Sequence, residues 1–195
     1  MAYCKKRLIL ASASPRRREL LDKFGISYEV LPAQGEEIVA PGLAPEEIVR
    51  SLAGQKAAEA AHRANDPEAV ILAADTLVEL DGTVLGKPGT PERAREMLHA
   101  LSGKAHRVWS GVCVRQGERI LSGSECTAVH FRTLSDEEIE AYIATGEPLD
   151  KAGAYGYQGL ASLFVERIEG DFFNVVGLPL CRTGEMLRSF GISLL

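Results

Sequence analysis

Two carboxylates and several bases are the side chains whose types and spacing point to chemistry. Asp75 directly follows residues 70–74, an apolar run with the length and β-branched content of a buried strand. Asp81-Gly82 predicts a tight hairpin turn, and the returning arm brings Lys87 back. With such a turn we expect Thr76 to face Lys87 across the ladder, with Asp75 one residue further on. The carboxylate of Asp75 and the ammonium of Lys87 could together hold a metal–phosphate group, although a surface salt bridge at the mouth of the hairpin would explain the two charges equally well.

A second group of charged residues lies near the N-terminus. Residues 1–18 contain six Lys or Arg and no Asp or Glu, whereas the whole chain has a net charge of −5. A short strand at residues 7–11 leads into Ser14-Pro15, which predicts the start of a helix and with it a natural anion site. Three arginines in the first turn oppose the helix dipole unless an anion lies among them. Arg16, nearest the tip, is the first candidate for ligand contact, and at least one of Arg17-Arg18 is expected only to cover the surface.

Lys56 and Glu37 complete the set of candidates. Lys56 lies on or beside the apolar face of a predicted helix, residues 45–62, where it either extends to water or reaches into a cleft. Glu37 lies between this helix and a predicted strand at residues 28–31. Bases and carboxylates without a nucleophile elbow suit metal-assisted attack of water on a phosphate ester or anhydride. Carboxylates bind Mg²⁺ or Mn²⁺ weakly, and substrate phosphates complete the coordination shell.

The elements that must position these residues are helices and strands, and a length of 195 residues suits a single domain over residues 1–195. Further helices are predicted at residues 90–101, 135–143 and about 179–190, and further strands at residues 106–115, 119–131 and 160–168. Residues 150–159 combine small residues with two tyrosines, which suits close approach of a ligand to the backbone. In this segment Gln158 could offer both a donor and an acceptor to the edge of a base.

Composition excludes several classes of function. The net charge of −5 and pI near 5.5 argue against general nucleic-acid binding. The sequence has no run of 18 or more apolar residues, so we expect no membrane span. The apolar stretch near the N-terminus is too short for the core of a signal peptide, and we therefore expect a cytoplasmic protein. Cys4, Cys113, Cys126 and Cys181 show no metal-ligand spacing, and we expect them to be reduced and mostly in the core.

Six motifs in order resemble the Maf family of nucleotide pyrophosphatases over essentially the whole chain. They are LILASASPRRRELL (8–21), LAGQKA (52–57), AADTLVELDGTVLGKP (73–88), LSGKAHRVWSGV (101–112), EPLDKAGAYGYQG (147–159) and VERIEGDFFNVVGLPL (165–180). The resemblance implies a Maf/ITPase-like α/β fold, with an elongated mixed central sheet flanked by helices and two lobes around a deep cleft. It also implies house-cleaning hydrolysis of a nucleoside triphosphate to the monophosphate and pyrophosphate with Mg²⁺ or Mn²⁺, and a homodimer.

Within the family, Asp75-Thr76 and residues 153–159 resemble the branch that acts on dTTP and UTP, whereas another branch acts on 7-methyl-GTP. The resemblance implies that Asp75 accepts the proton of the attacking water and that Arg16, Thr76 and Gln158 determine substrate choice. It also implies that Ser12 and Arg17 bind the substrate with them. It further implies that Lys56 and Lys87 lie on the phosphate side of the site and that Glu37 and Asp75 lie on its metal side. The family often has LAxEKA where this chain has Gln55, so no role is carried over to residue 55.

Two other functions remain open from the sequence. One is pyrophosphatase action on another nucleotide, such as 7-methyl-GTP or a modified pyrimidine nucleotide. The other is a nucleotide-binding regulator, for instance of cell division, that binds without turnover. Asp75 and Lys87 count against the regulator, because a protein that only binds needs no group to activate water.

Overall fold

The computed structural model describes residues 6–195, so Cys4 lies outside the described residues. The strands are β1 (Leu8–Leu10), β2 (Glu29–Val30), β3 (Val70–Leu80), β4 (Thr83–Leu85), β5 (Ala105–Gln116), β6 (Arg119–Phe131) and β7 (Val165–Glu169). The helices are α1 (Pro15–Asp22), α2 (Pro45–Ala64), α3 (Pro91–Leu101), α4 (Asp136–Ala144), α5 (Phe172–Val176) and α6 (Leu180–Ser189). None of these helices has the length and apolar character needed to cross a membrane.

The strands form one mixed sheet, which confirms the predicted α/β class. Its order in the described part of the chain is β2-β1-β3-β5-β6-β7, and β4 pairs with β3 outside this path. β1 pairs in parallel with β2 and β3, whereas β3–β4 and β6–β7 are antiparallel. The parallel pairs need crossover connections, and α1 and α2 supply them.

The chain divides into two compact units. One comprises the described residues up to Asp75 together with residues 110–125 and 177–195, and the other comprises residues 76–109 and 126–176. The boundary therefore falls inside β3, between Asp75 and Thr76. The single domain and the deep cleft between two lobes stay predictions.

The core of the first unit fixes α2 against the sheet. Small side chains on one face of α2 pack against strand residues, and the cluster includes Ala53, Ala57, Ala60, Ile9, Ile71 and Cys113. The contact is closest at Gly111 of β5, where a Cβ atom would lie 2.2 Å from the carbonyl oxygen of Val49. Since only glycine allows the two backbones to approach so closely, this contact sets the position of α2 and of the side chains it carries.

The predicted hairpin turn is confirmed in the second unit. Asp81 and Gly82 have φ values of 50° and 81°, as a two-residue turn between β3 and β4 requires. The paired residues run from Leu80↔Thr83 to Val78↔Leu85 and end there. The register is the predicted one, but the predicted pairing of Thr76 with Lys87 across the ladder is wrong, because β4 ends at Leu85. The carbonyl oxygen of the next residue, Gly86, accepts the N–H of Gly153 at 3.1 Å instead of pairing with β3.

The predicted strand at residues 160–168 is correct only in its second half, because Leu160–Leu163 forms a 3₁₀ helix and β7 begins at Val165. Leu160 and Leu163 lie on the same side of this turn and are both exposed, whereas a strand would alternate their environment. The five-residue helix α5 was not predicted, and α1 ends two residues before the predicted Phe24.

The cysteines are less buried than predicted. Cys113, Cys126 and Cys181, the cysteines that the structure describes, are all free. Cys113 is buried, and burial raises the pKa of its thiol to about 11, but Cys126 is half-buried and Cys181 is exposed. Among these three described cysteines, the prediction of mostly core positions therefore holds for Cys113 alone.

Candidate active site

Lys56 lies between two carboxylates. Its ammonium contacts Oδ1 of Asp75, at the middle of β3, and lies 2.9 Å from Oε1 of Glu37. The side chains of Lys56 and Asp75 are 17% and 13% exposed, whereas that of Glu37 is 52% exposed. The sequence left open whether Lys56 extends to water, and the structure shows that it reaches inward. These contacts bring together the predicted metal-side acids and one of the predicted phosphate-side lysines.

Arg17 provides a fixed positive charge near this cluster. Its Nε donates to the carbonyl oxygen of Gly177 at 2.8 Å, and its Nη1 donates to Oγ of Ser12 at 3.0 Å. Burial lowers the pKa of Arg17, and the charges of Asp75 and Glu37 act in the opposite direction. Because an arginine pKa starts so far above neutral, the guanidinium stays protonated.

The N-terminal turn of α1 carries the other predicted arginines. Pro15 occupies the first turn as predicted, but the side chain of Ser14 at the N-cap position makes no capping hydrogen bond. Instead, the N–H of Ser14 donates to Oγ of Ser12 at 3.2 Å. Arg16 is half-buried, and Arg18 is exposed and covers the surface. Arg17 therefore has the more fixed position, although the sequence favoured Arg16.

The parallel pairing of β1 with β3 explains why these groups meet. Leu10 of β1 lies opposite Leu72 of β3, so the chain after β1 reaches Ser12 at the level of Ala74, one residue before Asp75. The carboxyl end of β1 therefore delivers Ser12 and α1 beside Asp75. This is the edge of a parallel sheet at which ligands commonly bind.

An open cleft of about 150 Å³ adjoins Lys56 in the first unit. It lies between α2 and the segment after β2, and its lining residues are Ala33, Gly35, Glu36, Glu37, Gln55, Lys56 and Glu59. Within residues 6–195, no group of three or more His, Cys, Asp or Glu side chains is arranged to hold a metal ion. Glu37 and Asp75, both in contact with Lys56, are the two carboxylates that a cation could share with a ligand.

The remaining predicted site residues belong to the second unit. Thr76 follows Asp75 on β3 and is half-buried, whereas Lys87 and Gln158 are exposed. Gln158 lies in the turn between Gly156 and Gly159, within the predicted ligand-approach segment. Their roles stay predictions.

The family model described as "Maf-like protein" matches residues 7–190, almost the whole chain. The chain belongs to the Maf family. The resemblance found from the six motifs is thereby confirmed.

Maf-family relatives match this chain over nearly its full length. A dTTP/UTP pyrophosphatase of Caldicellulosiruptor bescii is 50% identical over 194 residues, which are 97% of this chain and 98% of the relative. A dTTP/UTP pyrophosphatase of Bacillus pumilus is 50% identical over 186 residues, which are 95% of this chain and 97% of the relative. The structure of the Staphylococcus aureus Ham1 protein matches with a TM-score of 0.47 and 14% identity, over 65% of this chain and 72% of that one. A structural match as partial as this one says nothing about activity.

Sequence reasoning missed two residues of α2 that contact the segment bearing Glu37. Gln55 and Glu59 both form hydrogen bonds to its backbone. The i, i+4 spacing of Gln55 and Glu59, which places both on one face of α2, was the available signal. The backbone groups that they bind leave no trace in the sequence.

Proposed function

We propose that this Maf-family protein hydrolyses dTTP and UTP to the monophosphate and pyrophosphate. The observation that carries the proposal is the Lys56 ammonium held between the carboxylates of Glu37 and Asp75, with the half-buried Arg17 guanidinium nearby. Fixed positive charges suit a triphosphate, and fixed carboxylates suit a divalent metal and activation of water. The relatives named dTTP/UTP pyrophosphatase support the choice of substrate.

A divalent cation fits the residues present. Mg²⁺ is usually bound through one or two carboxylates together with substrate phosphates, and Glu37 and Asp75 provide two. When bound, Mg²⁺ or Mn²⁺ would offset charge on the phosphates and make the phosphorus more susceptible to attack. We therefore propose that the cation arrives with the nucleotide.

The residues of the chain carry out the proton transfer and hold the phosphates. Asp75 accepts the proton of the attacking water through Oδ2, because Lys56 binds Oδ1 and so fixes the carboxylate plane. Water oxygen bonds to the α-phosphorus, the bond to the bridging oxygen breaks, and pyrophosphate leaves with that oxygen. Arg17, with Arg16 beside it, binds the phosphates at the start of α1. Lys87 is assigned to the same phosphates.

Base recognition is assigned to Thr76 and Gln158. An amide complements the adjacent acceptor and donor of uracil or thymine, so Gln158→Glu should lower the ratio of UTP to CTP turnover. Steady-state rates with both nucleotides measure this ratio. An unchanged ratio in the folded variant would remove Gln158 from base recognition.

The decisive experiment incubates the purified protein with dTTP, UTP, CTP and 7-methyl-GTP and measures pyrophosphate release with and without Mg²⁺ or Mn²⁺. The proposal expects metal-dependent release that is fastest with dTTP and UTP. Faster release from 7-methyl-GTP would favour the other branch, and tight binding without release would favour a nucleotide-binding regulator. We further propose that the protein acts in the cytoplasm, where nucleotides are made and used, and that it forms a homodimer, which sedimentation can test.

A further inference from the structure

Glu37 lies in a segment that forms neither helix nor strand. Residues 31–44 connect the end of β2 to the start of α2. Burial of apolar side chains contributes little to holding it, because Ile38 and Val39, directly after Glu37, remain 70% and 45% exposed. Yet Glu37 reaches the Lys56 ammonium at 2.9 Å, so another interaction must fix the backbone at this point.

Gln55 binds the backbone immediately after Glu37. Its Nε2 donates to the carbonyl oxygen of Ile38 at 2.7 Å, and its Oε1 accepts from the N–H of Ile38 at 3.0 Å. One side chain thereby forms the pair of hydrogen bonds that a neighbouring strand would form. Nε2 also donates to Oγ of Ser51 at 3.1 Å, which orients the amide so that both groups are satisfied.

Glu59 binds the backbone just before Glu37. One turn after Gln55 on α2, its carboxylate accepts the N–H of Gln34 at 2.7 Å and that of Gly35 at 2.9 Å. These two bonds lower the pKa of Glu59, so its carboxylate is ionised at neutral pH. Gly35 also allows a close approach, since a Cβ atom there would lie 3.0 Å from Oε2 of Glu59.

The helix that carries Lys56 therefore anchors the chain on both sides of Glu37. We propose that Gln55 and Glu59 are positioning residues, which hold the carboxylate of Glu37 at the distance from Lys56 and Asp75 that metal binding requires. The inference rests on the proposed function, in which Glu37 binds the divalent cation. Partners that orient a ligand of a metal commonly change metal affinity or activity by 10–100-fold when they are removed.

Hydrogen–deuterium exchange of the metal-free protein tests the anchoring itself. Gln55→Leu removes both bonds to Ile38 at similar volume, and Glu59→Gln leaves only one acceptor oxygen for two N–H groups. Faster exchange confined to residues 34–38 supports the proposal, with His62→Ala, an exposed change on the same helix, as the matched control. Unchanged exchange at Ile38 and Gly35 overturns it, as does acceleration spread equally over the whole of α2.

Kinetics test the consequence for metal binding. Pyrophosphate release is measured against Mn²⁺ concentration for the wild-type protein and the same variants. We expect the Mn²⁺ concentration for half-maximal rate to rise about 10-fold in Gln55→Leu, with little change in kcat at saturating Mn²⁺. The conservative Gln55→Glu keeps one bond to Ile38, so its Mn²⁺ concentration for half-maximal rate should lie between those of the wild-type protein and Gln55→Leu. If Gln55→Leu does not fold, Glu59→Gln and Gln55→Glu provide the same comparison.

The failure of this inference differs from the failure of the proposed function. Turnover by the wild-type protein, combined with wild-type metal dependence in Gln55→Leu and Glu59→Gln, overturns the positioning role and leaves the pyrophosphatase proposal intact. Absence of turnover by the wild-type protein with every nucleotide overturns the proposed function and the metal-positioning role with it.

Discussion

The contact between Gly111 of β5 and the backbone of α2 should couple the stability of the protein to the geometry of its site. In Gly111→Ala the new methyl carbon would lie 2.2 Å from the carbonyl oxygen of Val49 and 2.7 Å from the nitrogen of Arg50. Both neighbours are backbone atoms, so no side chain can rotate away. The helix itself must move by about 1 Å to restore an ordinary contact distance.

The displacement sets the expected magnitudes. Overpacking in a close-packed core costs roughly 1–3 kcal/mol, and we expect about 3 kcal/mol because backbone must shift. For a chain of this size that corresponds to a fall of roughly 10 °C in the unfolding midpoint. Because α2 carries Lys56, which we propose to be a catalytic residue, a shift of this size should also lower kcat by up to about 100-fold, as misplacement of catalytic groups by 1 Å can do.

Thermal unfolding and pyrophosphate release are measured on the same preparations. Gly54→Ala is the matched control, because Gly54 lies inside α2 with no atom within 4 Å of the added Cβ. This control should raise the free energy of unfolding by about 0.5–1 kcal/mol, the ordinary advantage of alanine over glycine in a helix. If Gly111→Ala unfolded at the wild-type temperature with wild-type kcat, the close contact would not determine the position of α2.

Three further predictions follow from other parts of the structure. Asp75→Asn should lower kcat by about 100-fold or more without loss of folding, as removal of a general base does, and circular dichroism with steady-state rates checks both. Gly159→Ala places a Cβ 2.1 Å from Oε1 of Glu147, so this carboxylate must move and give up the hydrogen bonds that it accepts from the hydroxyl of Tyr142 at 2.9 Å and the N–H of Leu160 at 3.2 Å. We expect a lower unfolding midpoint, by the cost of those lost hydrogen bonds. Burial lowers the pKa of His106 from 6.5 to about 4, so the unfolded chain binds more protons between these values. The free energy of unfolding should therefore fall as pH drops from 6.5 to 4. The fall should be about 3 kcal/mol larger in the wild-type protein than in His106→Gln, and urea titrations at each pH measure it.

Local signals predicted the elements whose determinants lie close together in the sequence. Asp81-Gly82 predicted the hairpin turn, and Thr90 and Ser135 predicted the starts of α3 and α4, where both side chains accept an N–H three residues on. Residues 160–163 were predicted as strand because a short apolar run is ambiguous between strand and helix. Only the exposure of Leu160 and Leu163 resolves the ambiguity, and exposure depends on the tertiary structure.

The candidate site was predictable in its charged groups and not in the interactions that position them. Lys56 was identified as a lysine beside an apolar helix face, but nothing in its neighbourhood indicated that it reaches inward to Asp75. Gln55 and Glu59 bind backbone groups 17 to 25 residues away, and a backbone N–H has the same chemistry at almost every position. Pairing between a side chain and a distant backbone therefore leaves no pattern for sequence reasoning to find.

The charges of the described cluster explain why the proposed reaction calls for a cation. Arg17 and Lys56 offset the carboxylates of Glu37 and Asp75, so this part of the site is close to neutral before a ligand arrives. A triphosphate brings several negative charges, and both carboxylates would repel it in a partly buried setting where screening is weak. Removing the acids would relieve the repulsion but would also remove Asp75, the proposed base. The proposed divalent cation, shared between the carboxylates and the phosphates, would resolve the conflict, and it would do so only if Glu37 is held where Asp75 can share the same ion.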